Sequence, residues 1–473
     1  MRLPPAVFFC PQTFAVTTIS VPIPRELLRQ LYEAAVAGAA TGPVTARAVE
    51  ALGIARDRPV WIFSFGKAAP AMAAAAVASL QRTLNQIVGG LIVAPNDSPS
   101  PYGTLAVLQG DHPTPGARSF AAAQRIGEIA ARMKSGDVAL VLVSGGATSL
   151  IAGPLRGMSE GELTQLFDLL LASGLDIGAV NTVRRRFTRW GGGRLALAIS
   201  PAAAHCLAVS DVPGDDLATI GSGPSVPDPS TADDVIEILE ESKLIDRVPK
   251  SFSRYVDDVS RGAEPETPKS GHPAFAHGTA RVIANNRGAL DAAAERARAL
   301  GAAAVYVVDA PLVGEAAPRG EAIARWLLEL RAQNAVPTNA HAPRVAIWGG
   351  ETTVTLRASS ARRGATPTSF PPGGRCQELA LAAARTLHEA GERARGIALL
   401  AAGTDGRDGT TEAAGAFVDV ATWSAIQTAG LDPATALAQH NSNGVLAAIN
   451  ALFSPGATGT NVMDVVIGVV DNP

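Results

Sequence analysis

The sequence predicts an α/β protein of two lobes with a cleft between them, built on a parallel, doubly wound sheet. Short apolar runs alternate with longer amphipathic stretches along nearly the whole chain, the pattern of successive βαβ units. Two polar, proline-bearing breaks, at 261–279 and 334–343, interrupt that alternation and divide the chain. Glycine-rich turns recur at the carboxyl ends of the predicted strands, the edge at which open α/β sheets bind ligands.

In chain order, 59–65 reads as a strand and the alanine-rich 68–80 as a helix. Short strands follow at 91–93 and 105–108, then a helix over 119–134. Residues 138–143, Val-Ala-Leu-Val-Leu-Val, are apolar without interruption, as in a strand covered on both faces. A helix over 160–173, a strand over 206–210 and a helix over 233–242 complete the first part. After the first break come strand 281–284, helix 288–300, strand 303–309 and helix 316–333. After the second, 344–348 and 353–356 read as strands, 376–389 as a helix, 397–402 as a strand and 463–470 as the final strand. Residues 1–23 carry prolines at 4, 5, 11 and 22 and no unbroken apolar core, so they read as an N-terminal extension and not a signal peptide.

Composition excludes several classes. At 473 residues the chain accommodates two or three domains, and 47% hydrophobic with 18% charged residues provides a packed core. A net charge of −3 without a clustered basic excess argues against a nucleic-acid partner. No apolar stretch of about 18 residues is present, so no membrane partner is expected. The three cysteines (Cys10, Cys206, Cys376) form no CxxC, which fits a reducing, cytoplasmic setting. The seven histidines include no HExxH, which argues against a zinc hydrolase of that type.

The segment 210–230 carries the most chemistry. Its preceding strand delivers Asp211, Asp215 and Asp216 to a sheet edge, followed by a turn-rich run containing Gly221, Ser222 and Gly223. Carboxylates beside donor-rich backbone suit a metal–phosphate complex, since Mg²⁺ takes oxygen ligands and shares them with phosphates; an ordinary solvated loop is the alternative. Lys67, in Ser-Phe-Gly-Lys, places an ammonium at a helix start, where a cation wants an anionic partner. Ser144, Gly145 and Gly146 follow the most apolar strand, and glycines there let N–H groups approach an anion. His112 lies in a rigid turn and reads equally as structural. The run 181–194, from Asn181 through Arg184, gathers five arginines, suited to carboxylate or phosphate recognition or to a solvated basic face. Glu351, Arg375, Asp405, Asp408 and Asn461 sit in further glycine-bearing turns at predicted strand or helix ends. Cations, carboxylates and backbone donors without an obvious covalent nucleophile are the parts of phosphoryl transfer.

Together the motifs resemble the glycerate 2-kinases of the two-domain type whose second domain is called MOFRL. The carrying residues are FGKAA (65–69), HPTP (112–115), SGGATSL (144–150), SDVPGDDLATIGSGPSVPDP (210–229), GGET (349–352), GGRCQELAL (373–381), GTDGRDGTTEAAGA (403–416) and TGTNVMD (458–464). The resemblance implies a Rossmann-like doubly wound N-terminal domain over 24–262 and a smaller α/β MOFRL domain over 280–473, whose final strand has the option of packing on the first lobe. It implies a monomer or homodimer that phosphorylates D-glycerate at its 2-hydroxyl with ATP and Mg²⁺. By the same resemblance Lys67 and Arg375 are catalytic. Ser144, Gly145, Gly146, Gly221, Ser222, Gly223 and Asn461 meet the nucleotide phosphates. Asn181, Arg184, Glu351 and Asp405 are expected to meet the substrate; for the metal the expectation is Asp211 with Asp408, Asp405 being the alternative partner, a choice the resemblance does not make. Some members have been labelled hydroxypyruvate reductases. An NAD(P)H-dependent reductase is therefore the alternative activity, although no strand here is followed by GxGxxG. A binding protein that has lost catalysis is a third reading.

The chain departs from the family pattern at three positions. Gly191 and Arg186 stand where a lysine and a histidine are usual, and Cys376 where the family has asparagine. The segment 441–446 also lacks the family's aromatic pair. These changes bear on substrate choice and not on fold.

Overall fold

A computed structural model describes residues 24–333, 342–356 and 372–471; the expected extension 1–23 lies outside them. Helices α1 (Pro24–Gly38) and α2 (Thr41–Glu50) come first. Strands β1 (Val60–Phe65), β2 (Ile87–Ala94), β3 (Leu105–Gln109), β4 (Val138–Val143), β5 (Ala203–Val209) and β6 (Thr279–Ala284) then form one sheet. Its order is β3-β2-β1-β4-β5-β6 and its neighbours pair in parallel. Every residue of β1 and β4 is buried, because helices cover both faces. Helices α3 (Ala69–Arg82), α4 (Ala117–Ala130), α5 (Ala147–Leu150), α6 (Glu160–Leu171), α7 (Ile177–Phe187), α8 (Arg194–Ile199), α9 (Ala232–Glu241) and α10 (Lys250–Ser260) belong to this lobe.

The second lobe begins with α11 (Asn286–Ala299), β7 (Ala304–Val307) and α12 (Ala316–Ala332). It continues through β8 (Arg344–Gly350), α13 (Arg375–Ala390), β9 (Ile397–Gly403), β10 (Gly415–Asp419), β11 (Leu452–Phe453) and β12 (Asp464–Val470). These strands form a sheet of order β11-β10-β9-β12-β8-β7. The sheet is mixed: β7 and β8 are parallel, while β12 runs antiparallel to both β8 and β9.

Two sequence expectations change, and one left open is decided. Residues 281–284, placed by composition at the head of the second domain, belong to β6, the edge of the first sheet, paired with β5. The break before it is a loop within the first lobe; strand pairing across it leaves no mark in composition. The final strand, given the option of packing on the first lobe, lies in the middle of the second sheet, with Val465, Ile467 and Val469 in the hydrophobic cluster that both lobes share. Residues 353–356 are not a strand; Thr353 makes only an isolated bridge to Glu315.

The chain crosses between lobes twice, after α1 and after β6. Gly38, ending α1, has no room for a side chain, since a Cβ there would collide with that of Ala292 on α11. Helix α1 thus packs on the second lobe and α2 on the first. One hydrophobic cluster runs through both lobes. It includes Ile62, Leu142 and Leu207 of the first sheet and Val345, Leu400 and Ile467 of the second, joined by Leu28, Leu31 and Leu290.

Candidate active site

The carboxyl ends of β1, β4 and β5 meet at one edge of the first lobe. Gly66 has φ +119°, and a Cβ there would collide with Ser144, so the turn after β1 is pressed onto the turn after β4. The two turns are tied by Lys67 N–H to the Gly145 carbonyl at 2.9 Å and by Ala68 N–H to Ser144 Oγ at 3.1 Å. Ser144 is buried by this work, Gly146 is half-buried, and the Lys67 side chain is exposed. Asp211, just past β5, lies against Gly145 so closely that any Cβ at 145 would overlap its carboxylate. Burial pushes the Asp211 carboxyl above its ordinary range, opposed by the charge of Lys67.

The second lobe contributes β8, α13 and β12. Arg375 opens α13, an unfavourable place for a cation, and carboxylates answer it. Its Nε and Nη2 donate to Asp464 Oδ2 and Oδ1 at 2.6 and 2.8 Å, a bidentate pair. Its Nη1 lies 3.0 Å from Glu351 Oε1. Burial works against the Arg375 charge, but Asp464 more than offsets it and holds the guanidinium well above its usual range. Burial pushes the Glu351 carboxyl up to about 7; Arg375 and Lys67 oppose the rise, while Asp464 and Asp211 add to it. Glu351 of one lobe therefore feels Lys67 and Asp211 of the other. The two edges face each other across a cleft.

Several expected site residues have other work. Asp408, read as a metal ligand, accepts N–H bonds from Cys376 (3.1 Å) and Gln377 (2.9 Å). Both its oxygens cap the start of α13, where orphan donors and the helix dipole favour a carboxylate. Burial, partly offset by those N–H groups, raises it to about 6. Ser222 and Gly223, read as phosphate-binding, spend their N–H groups on Thr219 and Ile220 carbonyls. Their own carbonyls accept Gly192 and Gly193 N–H at 2.8 Å, and Gly221 packs on Val143. This loop is a tight clamp and not an open cradle. Asn461 Oδ1 accepts Met463 N–H at 3.3 Å and supports that residue's positive φ of 68°. Asp405 is half-buried and accepts Arg407 N–H at 3.0 Å.

The adjacent triplet of the arginine run, 184–186, is not a solvated face, although Arg189 of the same run is exposed. It belongs to α7, where Arg184, Arg185 and Arg186 are 9%, 3% and 0% exposed, with Asn181 beside them at 9%. Arg185 pairs with Asp228 at 2.9 Å, and Arg186 with Glu266. At Gly191 a Cβ would stand 2.5 Å from Thr188 Oγ1 and 2.7 Å from the Arg185 carbonyl, so this backbone leaves no room for a side chain. Sequence reasoning did not single out Asp464. Its signal was there: a carboxylate opening an unbroken apolar strand needs a buried cation partner.

Two family models match the chain, a domain of unknown function (DUF4147) over residues 27–257 and the MOFRL family over 344–464. Glycerate 2-kinase of Pyrococcus horikoshii is 34% identical, covering 87% of this chain and 87% of that relative. The crystal structure of glycerate kinase from Thermotoga maritima superposes with a TM-score of 0.79 at 32% identity, covering 94% of this chain and 99% of that one. The chain belongs to the glycerate kinase family. It is an enzyme of that kinase family, and the two matched segments fall on the two lobes. A putative hydroxypyruvate reductase of Agrobacterium vitis is also 35% identical, covering 93% of each chain. No helix among the described residues is long and apolar enough to cross a membrane.

Proposed function

We propose that the protein transfers the γ-phosphoryl group of ATP to the 2-hydroxyl of D-glycerate, giving 2-phosphoglycerate, with Mg²⁺ bound alongside the nucleotide. The observation that carries this reading is the opposition of Lys67 and Asp211 on one lobe to Glu351, Arg375 and Asp464 on the other. Phosphoryl transfer needs cations around the moving group, a proton acceptor at the attacking hydroxyl and little else. Lys67 and the remaining donor capacity of Arg375 supply the first. Glu351, with its carboxyl near neutrality, supplies the second.

Among the described residues no three His, Cys, Asp or Glu side chains gather into a metal cage. Mg²⁺ on nucleotide phosphates needs none, since one or two carboxylates suffice with the phosphates as further ligands. Asp211 fits that part: its carboxylate caps no helix and lies against the Gly145 turn. Bound there, Mg²⁺ would neutralise charge on the phosphates. Asp464 holds the Arg375 fork in one orientation, and Gly145 keeps the floor of the site free of side chains.

A ³¹P NMR time course with MgATP and D-glycerate tests the assignment. A phosphomonoester signal at the position of 2-phosphoglycerate is expected. A 3-phosphoglycerate signal would overturn the site of transfer. An unchanged ATP spectrum together with NAD(P)H consumption on hydroxypyruvate would replace the kinase with the reductase named for some relatives.

A further inference from the structure

The two points at which the chain passes between lobes converge on one segment. At the first, between α1 and α2, the Ala39 carbonyl accepts Thr460 Oγ1 at 2.7 Å, and Thr41 Oγ1 donates to the Gly459 carbonyl at 3.1 Å. At the second, between β6 and α11, Asn286 Nδ2 donates to the Val462 and Asp464 carbonyls at 2.7 and 3.0 Å. This segment, 459–464, ends in Asp464, whose carboxylate grips Arg375. Both crossings therefore hold the stretch of chain that aims the Arg375 fork.

The pair Asn285-Asn286 divides its work. Asn285 caps α11, its Oδ1 accepting Gly288 N–H at 3.0 Å, and its Nδ2 donates to Asp215 in the acidic loop of the first lobe. The Ala284 carbonyl before it accepts Ser210 N–H at 2.8 Å, one position ahead of Asp211. With the cap already supplied, the Asn286 side chain reaches into the second lobe, and the residue is 8% exposed. A Cβ on Gly349, two residues before Glu351, would collide with its Oδ1. Residues 284–286 thus touch the strand end that carries Asp211, the strand end that carries Glu351 and the residue that holds Arg375.

We propose that Asn286 is a positioning residue for phosphoryl transfer: it fixes Arg375 through Asp464, and Glu351 through Gly349, at a set distance from Lys67 and Asp211. This rests on the kinase reading above and adds the joint that registers one lobe on the other. An amide suits the place, because its nitrogen offers two hydrogens to two carbonyls without bringing a charge beside the Asp464–Arg375 pair. Chemistry shared between lobes is sensitive to such a joint, since a misplacement of about 1 Å costs on the order of 10²-fold in rate.

Steady-state kinetics of the full chain with MgATP and D-glycerate test the role. Asn286→Ala is expected to lower kcat roughly 10- to 100-fold with KM for both substrates within about threefold, because the groups that act in the transition state lose their register. A looser joint lets water reach Glu351, whose carboxyl burial has raised to about 7, so the acid limb of kcat/KM should slide toward lower pH. Gly349→Ala approaches the joint from the other side: its methyl group should push the amide off the two carbonyls and reproduce the fall in kcat. Added to Asn286→Ala it should cost little more, since the space has been vacated. Near-wild-type kcat in Asn286→Ala, a raised KM with kcat kept, an unmoved acid limb, or additive losses in the double variant would each overturn the role. Hydrogen exchange supplies a readout that needs no turnover. In Asn286→Ala, amides of 375–378 and 462–465 should lose protection about tenfold while those of β1 and β4 keep theirs. That pattern in a protein that phosphorylates no hydroxy acid would keep the joint and remove the kinase. Protection unchanged, or lost evenly over both sheets, would remove the joint.

Discussion

Arg375 sits where the helix dipole least favours a cation, and its environment shows why it is there. Asp464 grips two of its donors and Glu351 stands at a third, so the fork is fixed before any phosphate arrives. Replacing Arg375 or Lys67 by Ala is expected to lower kcat on the order of 10²-fold or more with circular dichroism unchanged. Near-full kcat in either variant would remove that residue from the chemistry. Glu351 makes a separate prediction. Its carboxyl rises from 4.5 to about 7, so it accepts a proton only above that pH. The log of kcat/KM should climb through about pH 7 to a plateau, and Glu351→Gln should flatten that limb. The stability sign is opposite: a raised carboxyl disfavours the folded state increasingly as pH climbs from 4.5 through 7. Lys67 and Arg375 were legible in the sequence because a cation at a helix start demands a reason. The elevated Glu351 was not, because the charged groups that act on it, Arg375, Asp464, Asp211 and Lys67, come from distant parts of the chain.

At the scale of elements, α13 depends on one carboxylate from another turn. Asp408 takes the N–H groups of Cys376 and Gln377, and Gly374 has no Cβ because that carboxylate fills the space. Asp408→Ala should destabilise by about 1–2 kcal/mol, as lost caps do, while Asp408→Asn, which keeps an acceptor, should cost less. Urea denaturation reads both, and equal midpoints for the wild type and Asp408→Ala would show that the cap contributes nothing. The strands β1 and β4 were plain in the sequence because burial on both faces requires unbroken apolar runs. Helix α7 was hidden for the converse reason. Three adjacent arginines read as an anion-recognition run or as a solvated face, whereas the fold buries them and answers two with Asp228 and Glu266, the latter 80 residues from Arg186. Spacing along the chain carries no trace of such a partner.

The two lobes are joined more closely than their sequence suggests. A proline- and glycine-rich break at 261–279 reads as a linker, yet the strand after it completes the first sheet. The first helix, α1, packs with the second lobe. The largest hydrophobic cluster then continues from Ile62 and Leu207 through Leu28, Leu31 and Leu290 to Val345 and Leu400. Separating the lobes would expose this apolar surface to water, at roughly 25 cal/mol for each Å². The lobes should therefore unfold together, although the chain is long enough for independent domains. The tryptophans provide a readout, since Trp61 and Trp190 lie in the first lobe and Trp326, Trp348 and Trp423 in the second. Variants retaining one set, the other replaced by Phe, should give coincident urea midpoints by fluorescence. Gly38→Val tests the join itself, because its side chain would force α1 away from Ala292. It should lower both midpoints by the same amount. A shift seen by only one set of tryptophans would divide the shared core into two and make the lobes separate folding units.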